Sequence, residues 1–109
     1  MDTSRYADLF LTESREHLSA INHSLLELER SSGGAEPVSA LFRAVHTIKG
    51  MSATMGYTAV AELSHELETL LDRVRRGAQA VSPAMMDVLF SAADALDSSI
   101  ELSDRKSVV

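Results

Sequence analysis

The residue types able to do chemistry gather in one stretch, Leu41-Phe42-Arg43-Ala44-Val45-His46-Thr47-Ile48-Lys49-Gly50-Met51-Ser52-Ala53-Thr54-Met55-Gly56. On a helix, Val45 and Ile48 point to the core, and His46 lies one step, about 100°, around from Val45. His46 therefore flanks the buried stripe instead of joining it. Its neighbours on that face, at i−4, i+3, i+4 and i+7, are Phe42, Lys49, Gly50 and Ala53. A mid-helix glycine costs about 1 kcal/mol against alanine, so Gly50 calls for a reason. One is clearance: with no side chain at 50 and only a methyl at 53, another molecule can come close to the imidazole. The other is tight packing of a neighbouring helix against Gly50. Lys49 sets a cation one turn from the ring.

A histidine or a lysine alone on a helix is ordinarily just solvated; the combination points to phosphoryl transfer. Imidazole, with an unperturbed pKa of about 6.5, is largely neutral and nucleophilic at neutral pH. It is also a better leaving group than an alkoxide, so it can accept a phosphoryl group and release it again. Transfer passes through a loose, in-line transition state with charge on the equatorial oxygens. Lys49 is placed to balance that charge, and an open face admits a bulky partner.

A second group lies downstream. His65 and Glu68 are three residues apart and share a helix face, with Ala61 and Asp72 in line. In an antiparallel hairpin this face turns toward His46. A carboxylate accepting a hydrogen bond from Nδ1–H would fix the tautomer and leave Nε2 as the nucleophile. The plainer alternative is a polar pair on a helix surface. His17 and His23 have no partner pattern and are expected as surface residues. A metal site is not expected. His65-Glu66-Leu67-Glu68-Thr69 begins like H-E-x-x-H but carries Thr69 where the second histidine belongs. Glu62-Leu63-Ser64-His65 is a single Glu-x-x-His, where a di-iron bundle needs two.

Four helical segments must position these groups. Segment A, Thr3 to Arg30, has the stripe Phe10, Leu18, Ile21, Leu25 and Leu28 and is broken by Ser31-Ser32-Gly33-Gly34-Ala35. Segment B is expected to begin near Pro37 and to end at Gly56, with Leu41, Val45, Ile48 and Met55 inward. Segment C opens at Thr58, expected as an N-cap, and stops at Gly77. It carries Val60, Leu63, Leu67, Leu70, Leu71 and Val74, and its Arg73, Arg75 and Arg76 suit the C-terminal end of the helix dipole. Segment D begins with Ser82 as N-cap and Pro83 in the first turn, and buries Met85, Leu89, Ala92, Leu96 and Ile100. The spacing predicts an all-α, antiparallel up-down-up-down four-helix bundle. Residues 1–103 form the domain and 104–109 are expected as a frayed tail.

Composition narrows the function. The 109 residues are 45% hydrophobic and 24% charged, ordinary for one globular domain. There is no cysteine, which removes disulfides and thiolate metal sites. A net charge of −6 disfavours nucleic-acid binding. No apolar run approaches the roughly 20 residues of a membrane span. The start, Met1-Asp2-Thr3-Ser4-Arg5, has no basic-then-apolar signal pattern, so a cytoplasmic location is expected. Neither phosphate-binding glycine motif is present, so no ATP site and no autonomous enzyme activity are expected in this stretch.

The stretch 41–50, Leu-Phe-Arg-Ala-Val-His-Thr-Ile-Lys-Gly, resembles the motif around the phosphorylated histidine of histidine phosphotransfer (HPt) domains. Within that family it is most similar to the N-terminal domains of chemotaxis histidine kinases of the CheA type. The similarity continues through Leu63-Ser64-His65-Glu66-Leu67-Glu68-Thr69-Leu70-Leu71-Asp72 to Arg75-Arg76-Gly77. It covers roughly residues 5–102 in layout, with the motif-level match confined to 41–77. The resemblance implies His46 as phosphoacceptor at Nε2, supported by a polar network of Lys49, His65 and Glu68. Phe42, Gly50 and Ala53 are expected to govern access and docking, with Phe42 either an apolar anchor or a core residue. The implied partners are a histidine kinase catalytic domain and a response-regulator receiver domain. The domain itself would hold no cofactor: ATP and Mg²⁺ would sit in those partners. Relatives of this type continue into a fifth helix and further domains, whereas this sequence ends soon after segment D. A monomer is expected. The competing function is a structural helical bundle that dimerises or scaffolds without phosphotransfer, and it predicts indifference to loss of His46.

Overall fold

Each segment is helical because its apolar residues recur at three- and four-residue spacing, and a one-sided helix is stable only when that side is covered. A computed structural model of the chain describes residues 3–31 and 34–107. Four helices follow one another: α1 (Thr3–Ser31), α2 (Ala35–Met55), α3 (Thr58–Arg75) and α4 (Pro83–Ser107). Contacts run α1–α2, α2–α3, α3–α4 and α4–α1, closing a ring of neighbours. Short turns force successive helices antiparallel, so the chain is an all-α, up-down-up-down bundle. Its extents are 45 × 20 × 19 Å, as expected for helices of up to 29 residues rising about 1.5 Å each.

Glycine sets two of the helix ends. Gly56 closes α2 at φ 74°, in the left-handed region, and Tyr57 N–H then reaches back to the Ser52 carbonyl at 2.9 Å. Gly77 repeats this after α3 at φ 77°, with Ala78 N–H on the Arg73 carbonyl at 2.9 Å. Both are Schellman-type closures that satisfy otherwise orphaned carbonyls. Ser82 is an N-cap, its Oγ accepting the Met85 N–H at 3.1 Å just ahead of Pro83.

Other boundaries differ from the sequence expectation. α2 begins at Ala35, two residues before Pro37, which still falls in the first turn, where its missing N–H costs nothing. Gly34 precedes the helix, and its N–H is held by Ser31 Oγ at 3.2 Å, so the end of α1 helps to start α2. Ser32 and Gly33 of the expected breaker lie outside the described residues. Thr58 is the first residue of α3 and not its cap; Tyr57 occupies the cap position without a side-chain hydrogen bond. The tail expected to fray from 104 is helical through Ser107, and Val108 and Val109 lie outside the described residues.

The core contains all five predicted residues of α1, together with Leu41, Val45, Ile48, Val60, Leu67, Leu71, Leu89, Leu96 and Ile100. In α4 the buried partners are Met86 and Ala93, while Met85 and Ala92 are half-buried. The stripe at 86, 89, 93, 96 and 100 alternates three and four residues regularly, and the 85/92 alternative sits one step around the helix. Leu63, Leu70, Val74 and Met55 pack against the core from its margin. Val38 and Ala44 join it from α2.

Candidate functional site

Burial of Val45 and Ile48 fixes the rotation of α2 and so turns His46 and Lys49 to the α2–α3 seam. Burial of Leu67 and Leu71 does the same for α3 and brings Glu68 to face them. Glu68 bridges both: its Oε2 lies 2.6 Å from His46 Nδ1, and its Oε1 accepts a hydrogen bond from Lys49 Nζ at 2.8 Å. The three differ in contact with water. The imidazole is 61% exposed and the Lys49 side chain 27%, while the Glu68 side chain is only 14% exposed.

The pairing of Glu68 with two donors bears on where the protons lie. Burial of Glu68 favours its neutral form, but the hydrogen bonds and charges of Lys49 and His46 outweigh it and hold the carboxyl below its ordinary range. An ionised carboxylate only accepts hydrogen bonds, so Nδ1 must carry the donated proton. In the neutral ring the lone pair is then on Nε2, the nitrogen not engaged by Glu68.

Phe42, one turn before His46, lies nearly parallel to the imidazole, with planes 7° apart and ring centroids 6.1 Å apart. It is half-buried, packing against the core while part of it stays in contact with solvent. The Arg75 guanidinium sits over its ring, Cζ 4.2 Å from the centroid. Arg75 and Arg76 in turn both pair with Asp72, at 2.6 and 2.7 Å. Arg75 was expected only to complement the helix dipole. The register was the available signal: Phe42 lies seven residues before Lys49 and Arg75 seven residues after Glu68, and two turns along antiparallel helices preserve the facing.

A Cβ built on Gly50 meets nothing within 4 Å, so close packing of a neighbouring helix does not explain that glycine. Ala53 is exposed. His65 does not join the bridge. It is exposed and, among the described residues, its imidazole makes no hydrogen bond or ion pair; it lines a groove with Lys49, Ala53, Thr58, Ala61 and Glu62. Glu68, a turn further along α3, takes the place opposite the ring. On the other flank of α2, a largely apolar groove between α1 and α2 is lined by Tyr6, Leu9, Phe10, Thr47, Gly50 and Met51. Tyr6 and Leu9 are exposed there, at 45% and 57%. Among the described residues no three His, Asp or Glu side chains converge as metal ligands, and no helix is long and apolar enough to cross a membrane.

Comparison with known proteins places this geometry. The chain is 46% identical over 101 residues to the chemotaxis protein CheA of Bacillus subtilis (strain 168), covering 93% of this chain and 15% of that protein. It is 43% identical over 98 residues to CheA of Listeria monocytogenes, covering 90% of this chain and 16% of that protein. The chain thus spans about 15% of the length of the curated relatives it matches. Among solved structures, the CheA phosphotransferase domain from Thermotoga maritima superposes with a TM-score of 0.87 at 34% identity, covering 93% of this chain and 96% of that one. The phosphorylated P1 domain of CheA3 in complex with CheY6 from R. sphaeroides gives 0.87 at 30% identity, covering 94% and 80%. The family model for the Hpt domain matches residues 5–103, nearly the whole sequence, and the chain belongs to the Hpt domain family.

Proposed function

We propose that the chain is a phosphoryl carrier of two-component chemotaxis signalling. His46 takes a phosphoryl group from ATP held by a histidine kinase catalytic domain and hands it to an aspartate of a response-regulator receiver domain. The observation that carries this is the bond from a mostly exposed imidazole, through Nδ1, to a mostly buried carboxylate. That bond leaves Nε2 as the reacting atom. In the first step the Nε2 lone pair forms the N–P bond as the bond from the γ-phosphorus to ADP breaks. Nδ1 keeps its proton, and Glu68 offsets the positive charge that develops on the ring. In the second step a carboxylate oxygen forms the O–P bond, the N–P bond breaks, and its electron pair returns to Nε2. Lys49 keeps Glu68 ionised and adds positive charge beside the phosphoryl oxygens.

ATP and Mg²⁺ belong to the partner domains in this scheme; nothing in the bundle is required to hold them. The absence of a side chain at Gly50 gives a partner room to reach in-line geometry. The α1–α2 groove beside it offers Leu9, Phe10 and Met51 for receiver docking. The phosphorylated CheA3 P1 domain in complex with CheY6 supports both the carrier role and this class of partner.

Incubation with a cognate kinase domain and labelled ATP tests the proposal. Label should appear on His46, stable in base and labile in acid, and His46→Gln should abolish it. Label persisting in that variant ends the proposal.

A further inference from the structure

The network around His46 extends past Glu68 along the α2–α3 seam. Asp72, Arg75 and Phe42 form a chain of contacts that ends at the imidazole. Asp72 holds the Arg75 guanidinium at 2.6 Å, the guanidinium lies 4.2 Å from the centre of the Phe42 ring, and the Phe42 ring lies parallel to His46 within 7°. The Glu68 bond restrains the imidazole at Nδ1 only, and a ring held at one edge can still tilt about that bond. A parallel aromatic neighbour one turn away limits the tilt, provided that neighbour is itself fixed. Phe42 is half-buried, and over its ring sits the guanidinium, a planar cation suited to an aromatic face.

We infer that Arg75, tethered by Asp72, is a positioning residue for phosphotransfer: it locks Phe42 against His46 and so fixes the direction in which Nε2 points. The inference rests on His46 being the phosphoacceptor. A dipole role does not explain the placement. Arg73 also lies in the last turn of α3, yet Arg75 is the one stacked on Phe42. Arg76 shares Asp72 and would keep the charge balance if Arg75 were lost.

Two readouts test the inference. Phosphoramidate, a small donor that needs no docking surface, phosphorylates histidine with loss of ammonia, and mass spectrometry locates the product. Ring-nitrogen NMR reports the His46 tautomer independently of any transfer. Arg75→Ala should slow phosphorylation of His46 by phosphoramidate about two- to fivefold, the scale of one exposed to partly desolvated cation–aromatic contact. Arg75→Lys should recover part of the rate, because an ammonium restores the charge over the ring but not the planar face. In a Phe42→Ala background, Arg75→Ala should add no further loss. The His46 tautomer ratio should shift in Arg75→Ala and return in part in Arg75→Lys. The inference is overturned if Arg75→Ala matches the wild type with phosphoramidate. It is equally overturned if that variant is slow only with a kinase domain, which would make Arg75 a docking residue, or if the two losses simply add. If wild-type His46 takes no phosphate at all, the carrier role fails, and the tautomer shift alone then supports or overturns the positioning role.

Discussion

Among the described residues two seams of the bundle carry an ion pair between antiparallel neighbours, and only one of them includes a histidine. Across α1–α4, Arg15 and Glu101 meet at 2.9 Å with 60% and 38% of their side chains exposed. Their hydrogen bond raises the guanidinium pKa and lowers that of the carboxyl, but water and salt compete with every part of the pair. Across α2–α3, Glu68 is only 14% exposed and is shared between a lysine and a histidine. Burial makes its partners obligatory, because a carboxylate removed from water and left unpaired is costly. The same charge chemistry is thus a solvated contact on one side and a largely buried carboxylate hydrogen-bonded to an imidazole on the other. What separates them is how much water reaches the carboxylate.

Removing each carboxylate sharpens the contrast. Glu68→Ala should cut the rate of phosphorylation at His46 by about 10- to 100-fold, the usual range for loss of a histidine-orienting carboxylate, with helicity by circular dichroism unchanged. Glu101→Ala should leave that rate at the wild-type value. Equal effects of the two would remove the distinction between the seams.

Gly50→Ala probes the open face of α2 directly. Because the new methyl meets nothing in the molecule, thermal unfolding should show a gain of about 1 kcal/mol from helix propensity. Transfer from a protein donor should nevertheless slow, while reaction with phosphoramidate is little changed. A faster variant would show that Gly50 is not there for clearance.

The smallest effect concerns acid. The folded Glu68 carboxyl titrates below its ordinary value of 4.5. Its contribution to stability is therefore complete above that value and is lost as pH falls through the lower folded value. Urea midpoints measured from neutral pH down to about pH 3 should drop less steeply in Glu68→Gln than in the wild type. Identical slopes would mean that the bridge is not coupled to folding.

Most of this arrangement is written locally in the chain. Gly56, Gly77 and Ser82 end or start helices through their own backbone freedom or hydroxyl, so their neighbours hardly matter. His46, Lys49 and Glu68 could be paired because each flanks an apolar stripe whose burial fixes the rotation of its helix. Where one step of rotation exchanges two equally apolar residues, as with Met85 and Met86, packing decides and local pattern does not. The start of α2 escaped because its support comes from Ser31 on the preceding helix. Arg75 escaped because a long side chain can serve a dipole or cross to another helix with no change in sequence. His65 and Glu68 share a face of α3, but the register of the hairpin brings only Glu68 opposite the ring.

The central claim is that Glu68 occupies Nδ1 and leaves Nε2 to react. Phosphorylating the wild-type chain and determining by ¹H–¹⁵N NMR which ring nitrogen of His46 carries phosphorus tests it most directly. The expected product is phosphate on Nε2, with Nδ1 still protonated. Phosphate on Nδ1, or on a residue other than His46, would contradict it.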